Sequence, residues 1–245
     1  MAEQEIAKHT KKVVRLFEKS EHGWRHKLGE MALEIITIVF AVSLSIWLHS
    51  LSEHRHEQQQ VRTFLLGLRH DIANDIQATT QISAAYHSFD ANFEYLSKLD
   101  PRSAPAPEKF ETSYRLADNN IYFNPVVSRY QGFKSSGKLT HIENEELLEK
   151  ILRLYESATV GIKSSERGWA NNQEKFRAYM ENDMAGDDTL AERYRLMVAP
   201  KGKRLLRNQI TFPQLYERYN DYAALGAEII KEIEHEYPEA AQEKK

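Results

Sequence analysis

Few residues in this chain are spaced for chemistry, and the clearest set lies on one helical face near the N-terminus. His26, Glu30, Glu34, Thr37, Ala41, Ser45 and His49 follow one another at three- or four-residue steps, so a helix would place them on one broad side. Around them the sequence is apolar, and an ionisable group in such a setting costs several kcal/mol unless it is paired, protonated or hydrated. Glu34 should therefore face protein or water. Two chemistries follow: association with a partner helix through polar and small residues, or proton conduction. Conduction needs more than one deep acid, and this stretch has only Glu34. Glu30, Glu34, Thr37, Ala41 and Ser45 are therefore expected to form a helix-association surface. A plainer alternative puts Glu30 beside Lys27 and Glu34 at shallow depth, each paired with basic groups or lipid headgroups.

Other constellations are weaker. EHRHE at residues 53–57 offers two histidines and two carboxylates, but His54 and His56 are two positions apart and diverge on a helix, whereas paired helical ligands sit one turn apart. FKSSGKLTHIENEELL at 133–148 approaches a phosphate loop, yet leucine follows Lys138 where a hydroxyl residue is required. A tight turn at Gly137 leading to a helix capped by Thr140 or Asn144 accounts for it better. Ser135, Ser136, His141 and Glu143 lack a nucleophile elbow. Lys201, Lys203, Arg204 and Arg207 form the strongest basic cluster after the apolar stretch, suited to a polyanion or acidic partner, or simply a solvated connector. No catalytic residue, metal ligand or cofactor site is expected.

The elements that would hold these residues are set by composition. With 245 residues there is material for one substantial domain plus appendages. The net charge of −3 gives no reason to expect a nucleic-acid partner, and the absence of cysteine removes disulfides, thiolate zinc sites and cysteine nucleophiles. A mean hydropathy of −0.61 conceals one sharply apolar stretch at 31–48, MALEIITIVFAVSLSIWL. About 20 apolar residues cross a bilayer core as a helix. Trp24, Arg25, Lys27 and Trp47 lie where interfacial anchors belong. The preceding arm is too polar for a cleavable signal peptide, so the stretch reads as an uncleaved anchor. Lys8, Lys11, Lys12, Arg15, Lys19, Arg25 and Lys27 precede it, with only Arg55 and Arg62 shortly after. The positive-inside bias then puts the N-terminus in the cytoplasm of a bacterial inner membrane and the main domain in the periplasm or another extracytoplasmic space.

The expected organisation is mainly α: a basic cytoplasmic arm (1–27), one transmembrane helix (28–51), a long helical stalk that becomes the first bundle helix (52–100), an extracytoplasmic helical bundle (101–238) and a polar tail (239–245). No proline occurs between Trp24 and Leu99, and Val61, Leu65, Leu68 and Ile72, then Ile82, Tyr86, Phe89, Phe93 and Leu96, trace a buried seam. PRSAPAPE at 101–108 breaks that helix. A second seam runs from near Glu143 toward Met184 through Leu147, Leu148, Ile151, Tyr155, Ala158, Ile162, Trp169, Phe176 and Met180, with bends expected at Gly161 and Gly168. A third follows Pro213 through Leu215, Tyr219, Tyr222, Gly226, Ile229 and Ile233 and stops at Pro238. NNIYFNPVV around Tyr122 is the best strand candidate, weakened by Pro125.

Three of these segments, LGEMALEIITIVFAVSLSIW at 28–47, LLGLRHDIANDI at 65–76 and YQGFKSSGKLTHIENEELLEKILRLYE at 130–156, resemble a bacterial membrane-anchored family catalogued only as a domain of unknown function. They occur in that family's order. The span here has no glycine after Gly29, where the family's spans carry glycine. The resemblance implies an anchor and an architecture, and it brings no catalytic residues.

The leading expectation is a noncatalytic, membrane-tethered interaction protein or accessory subunit. It would touch the lipid bilayer and a membrane-protein partner or a second copy of itself. A sensor that passes ligand-induced motion along the long helix is the alternative, followed by an enzyme whose pocket gathers residues from several helices.

Overall fold

The computed structural model describes residues 24–103 and 105–238, with side chains from Lys27 onward. The expected basic arm, the side chains of Trp24, Arg25 and His26, and the polar tail lie outside the described residues. Among those described, the chain is mainly helical and has no strand. The helices are α1 (Trp24–Ser97), α2 (Pro107–Leu116), α3 (Ser128–Ser135), α4 (Glu145–Leu152), α5 (Thr159–Asn182), α6 (Leu190–Val198), α7 (Pro200–Arg207) and α8 (Pro213–Glu236). The chain divides into two units at Gln58 and Gln59.

In the first unit, α1 carries the apolar stretch. It is the one described helix long and apolar enough to cross a membrane, and an 18-residue stretch of it has mean hydropathy 2.2 with none of its residues buried. Residues 27–50 are exposed throughout, among them Leu33, Ile36, Phe40 and Ile46.

The second unit is built on the predicted seams. Every seam residue named on α1 from Val61 to Leu96 is buried. So are Ile162, Trp169, Phe176 and Met180 of α5, and Leu215, Tyr219, Tyr222, Ile229 and Ile233 of α8. Helix α8 packs on α4 and α5. It also approaches α1 closely at Gly226, where an added Cβ would lie 2.9 Å from Ile72 Cγ2. Across the centre, the Tyr86 and Trp169 rings meet edge to face at 5.0 Å.

Helix starts follow local chemistry. Pro107, Pro200 and Pro213 open α2, α7 and α8, where a missing N–H costs nothing. The Asn144 side chain caps α4 by accepting from Leu147 N at 3.0 Å. Thr140 instead donates to Gly137 O at 2.9 Å, so of the two expected caps only Asn144 serves. Gly137 has φ of +75° at the turn after α3, a conformation that favours glycine.

Three boundaries differ from expectation. Helix α2 begins inside the proline-rich segment, because Pro107 suits a first helical turn as well as a loop. The long helix expected over 143–184 is interrupted upstream of Gly161, by a π-helical turn at Arg153–Ala158. There Leu154, Tyr155 and Thr159 are all buried, and the Thr159 hydroxyl donates to Leu154 O, five residues back, at 3.0 Å. The wide turn thus brings more side chains to the core than a regular turn would. Residues 119–127, the strand candidate, form no regular element and have no strand partner among the described residues, and Val127 is already in the αR region as the cap of α3.

Candidate functional site

Two places combine unusual chemistry with a defined position: the exposed face of α1, and a set of buried polar side chains around residues 119–127. On α1, Glu30, Glu34, Thr37, Ala41 and Ser45 are all exposed, as are Lys27 and Trp47. The Thr37 hydroxyl donates to Leu33 O at 2.8 Å within its own helix, which uses its only proton and leaves it an acceptor toward any neighbour. Glu34 forms no hydrogen bond or ion pair among the described residues.

The second place is a strap. Its backbone polar groups cannot be met by a sheet, and a buried unpaired amide or carbonyl is costly. Two helices supply side chains in their place. From α5, Gln173 Nε2 donates to Asn119 O at 2.9 Å and to Ala117 O at 3.4 Å. From α1, the Tyr86 hydroxyl donates to Ile121 O at 2.9 Å. Glu166 Oε1 accepts from Phe123 N at 2.7 Å, and Asp75 Oδ1 accepts from Val126 N at 3.0 Å. Helix α8 then closes the arrangement from Tyr219 and Tyr222, three residues apart and so on one face. The Tyr219 hydroxyl donates to Glu166 Oε1 at 2.6 Å, and the Tyr222 hydroxyl to Asp75 Oδ2 at 3.0 Å. Each carboxylate therefore ties a strap amide to a phenol of α8.

Glu166 and Asp75 are 3% and 2% exposed. Burial pushes both carboxyl groups above their usual range, and it outweighs the donors that pull them down. Burial likewise raises the phenols of Tyr219 and Tyr222, which adjacent carboxylates raise further. One turn before Asp75, Asp71 takes a 2.8 Å bond from Arg129 Nε. The guanidinium lies over Gly67, where a Cβ would stand 2.4 Å from it. Tyr155 completes the neighbourhood, stacked on Tyr130 at 4.3 Å, with a buried hydroxyl that has no hydrogen-bond partner among the described residues.

Perturbed, convergent carboxyl groups are a common mark of active sites. Here the bonds they make are structural, and neither Asp75 nor Glu166 lines the surface clefts formed by Gln173 and Met180, by Gly161 and Arg218, or by Lys150 and His235. The same device recurs nearby: Asp90 accepts from Thr211 N at 2.7 Å and from the Tyr216 hydroxyl at 2.8 Å.

The remaining candidates are dispersed. Lys201 pairs with Asp183 at 3.0 Å and lies 4.6 Å over the Tyr179 ring, so it is engaged within the domain. Lys203 is half-buried, while Arg204 and Arg207 are exposed with no ion pair among the described residues. The basic cluster thus offers two accessible cations. His54 and His56 are exposed, and no cluster able to hold a metal ion occurs among the described residues. Lys134, in the segment that approaches a phosphate loop, pairs with Glu156 at 2.6 Å, and Ser136 donates to Phe133 O at 2.8 Å, as in a helix-terminating turn.

Sequence reasoning did not single out Asp75, Glu166, Asp90 or Gln173. The available signal was an acidic or amide residue inside an otherwise apolar helical seam, as with Asp75 between Ile72 and Ile76. In comparison with known proteins, no family model, no curated protein and no solved structure matches this chain.

Proposed function

We propose that this protein is a noncatalytic, membrane-tethered interaction protein or accessory subunit. The observation that carries the reading is the apolar stretch of α1, exposed on every side over residues 27–50. A surface of this size is unfavourable in water, and lipid is the solvent that suits it. One pass through a bacterial inner membrane, with the N-terminus cytoplasmic and the helical bundle periplasmic or otherwise extracytoplasmic, fits the distribution of Lys and Arg on the two sides. The resemblance at 28–47, 65–76 and 130–156 to a membrane-anchored family supports the same arrangement.

Within the bilayer, Glu30, Glu34, Thr37, Ala41 and Ser45 face a partner helix from a membrane protein or a second copy. Trp24, Arg25, Lys27 and Trp47 sit at the two interfaces. Outside it, the bundle makes the partner contacts, and Arg204 and Arg207 favour an acidic or polyanionic one. The commitment of Asp75 and Glu166 to holding backbone supports a noncatalytic role.

Crosslinking in native membranes followed by mass spectrometry tests this, comparing wild type with Glu34→Leu and with a polyleucine span. Alkaline extraction of each form first establishes insertion. Loss of specific crosslinks in inserted variants supports the helix face as an assembly surface, and crosslinks that survive place assembly in the bundle. A protein that extracts as soluble, or an inserted monomer without reproducible partners, refutes the reading.

A further inference from the structure

A cleft of about 420 Å³ opens between α2, α5 and the loop that follows α5. That volume lies in the range of small-molecule sites. Phe176 and Met180, each 5% exposed, are its apolar lining, with Met184 and the Tyr114 ring beside them. Its charged rim is balanced: Arg115 and Glu181 line it with one charge of each sign, and the other charges are paired. Asp118 pairs with Arg177 at 2.8 Å, and Asp188 with Arg193, whose guanidinium lies 4.4 Å over Tyr114. Neither a metal ion nor a free anion would find a concentrated charge there.

One polar atom stands out. Gln173 lines the cleft and is 3% exposed, and its bonds to Ala117 O and to Asn119 O of the strap both use its Nε2. Its Oε1 accepts no hydrogen bond among the described residues, yet it is not sealed among the buried unsatisfied atoms. The Nε2 bonds fix the orientation of the amide, so an acceptor is presented to the cleft by a side chain that cannot turn away without losing those bonds. Thioethers and ring edges make favourable contacts with aromatic rings.

We infer that this cleft binds a neutral aromatic ring carrying one N–H donor, of the indole class, with the ring against Phe176, Met180 and Met184 and the N–H on Gln173 Oε1. The inference is independent of what the apolar helix does. Such a ring can come as a free small molecule or as a tryptophan side chain of a protein partner.

The test uses the full chain in lipid nanodiscs with methyl-labelled methionine, titrated with indole, 1-methylindole and N-acetyltryptophanamide. Met180 and Met184 report the cleft. Met31 reports partition into lipid, and Met197, which does not line the cleft, serves as a further control. Saturable shifts at Met180 and Met184 with indole, and about tenfold weaker binding of 1-methylindole, are expected, because the methyl group leaves the acceptor covered and unpaired. Equal or tighter binding of N-acetyltryptophanamide assigns the ring to a peptide, and weaker binding to a free molecule. Absence of saturable shifts at Met180 and Met184, or equal affinity for indole and its methyl derivative, overturns the proposal.

Discussion

Replacing Asp75 tests whether a buried carboxylate holds the strap. In the wild type its two oxygens serve Val126 N at 3.0 Å and the Tyr222 hydroxyl at 3.0 Å, on a side chain almost wholly out of water. Asp75→Ala leaves the buried Tyr222 hydroxyl and the partly buried Val126 N–H without an acceptor. Each such group costs ~1–3 kcal/mol, so the loss should be roughly 2–6 kcal/mol, reduced by whatever the carboxylate's own desolvation costs. Asp75→Asn keeps a carbonyl oxygen for Val126 N, and the Tyr222 hydroxyl can rotate to accept from the new amide. Its loss should be only about 0–2 kcal/mol.

The two variants also separate in their pH dependence. Burial is the largest influence on Asp75 and raises its folded-state pKa above the unfolded value. Over the interval between those values the folded chain binds the extra proton, so stability falls as pH rises. The contribution is fully present below the ordinary carboxylate range and is lost as pH passes through the raised value. Asparagine does not titrate. The deficit of Asp75→Asn relative to wild type should therefore shrink as pH increases from 4 to 8. Denaturant unfolding of the full chain in detergent, followed by circular dichroism across that range, reads both quantities. An Asp75→Ala protein as stable as wild type, or an asparagine deficit that grows with pH, would refute the reasoning.

Two further outcomes follow from packing. In Gly202→Ala the new Cβ would stand 2.1 Å from the backbone carbonyl oxygen of Leu196, which cannot rotate aside as a side chain can, so thermal unfolding should show a loss of about 1–3 kcal/mol. Tyr155→Phe removes a buried hydroxyl with no partner among the described residues while keeping the stack on Tyr130. It should be neutral or stabilise by up to ~1 kcal/mol, and a loss greater than that by chemical denaturation would reveal a partner for the hydroxyl.

The helical seams were legible because their signal is local. Val61, Leu65, Leu68 and Ile72 recur at helical spacing, and each is buried. The strap was not legible, because the bonds that define it join residues distant in sequence: Phe123 meets Glu166 across 43 positions and Val126 meets Asp75 across 51. The pattern NNIYFNPVV signals a strand, and the segment forms no regular element instead. The pattern says nothing about whether the partner is another strand or a row of side chains. The π-helical turn was hidden for a related reason, since Leu154, Tyr155 and Thr159 are all buried within a regular-looking helical pattern, and only the packed core shows the extra residue in the turn.

Glu34 is the residue where a local reading and an energetic one must be reconciled. On the proposed anchor, each Leu, Ile, Val or Phe near the middle of a span contributes about −0.3 to −0.6 kcal/mol to insertion, whereas an ionisable group at the centre costs roughly 3 kcal/mol. Leu33, Ile35, Ile36, Ile38, Val39, Phe40, Val42, Leu44, Ile46 and Leu48 together outweigh one such group even at the centre. Glu34 is also near the N-terminal end of the apolar run, where its carboxyl can reach the interface and the cost is smaller. Insertion therefore does not require Glu34 to have a protein partner. What favours one is the placement of Thr37, Ala41 and Ser45 on the same side, and the commitment of the Thr37 proton to Leu33 O. A neighbouring helix would find the Glu34 side chain and, one turn away, the Thr37 oxygen as an acceptor. Replacing Glu34 by leucine should thus spare insertion and remove only the assembly, which is the outcome that separates a functional acid from a tolerated one.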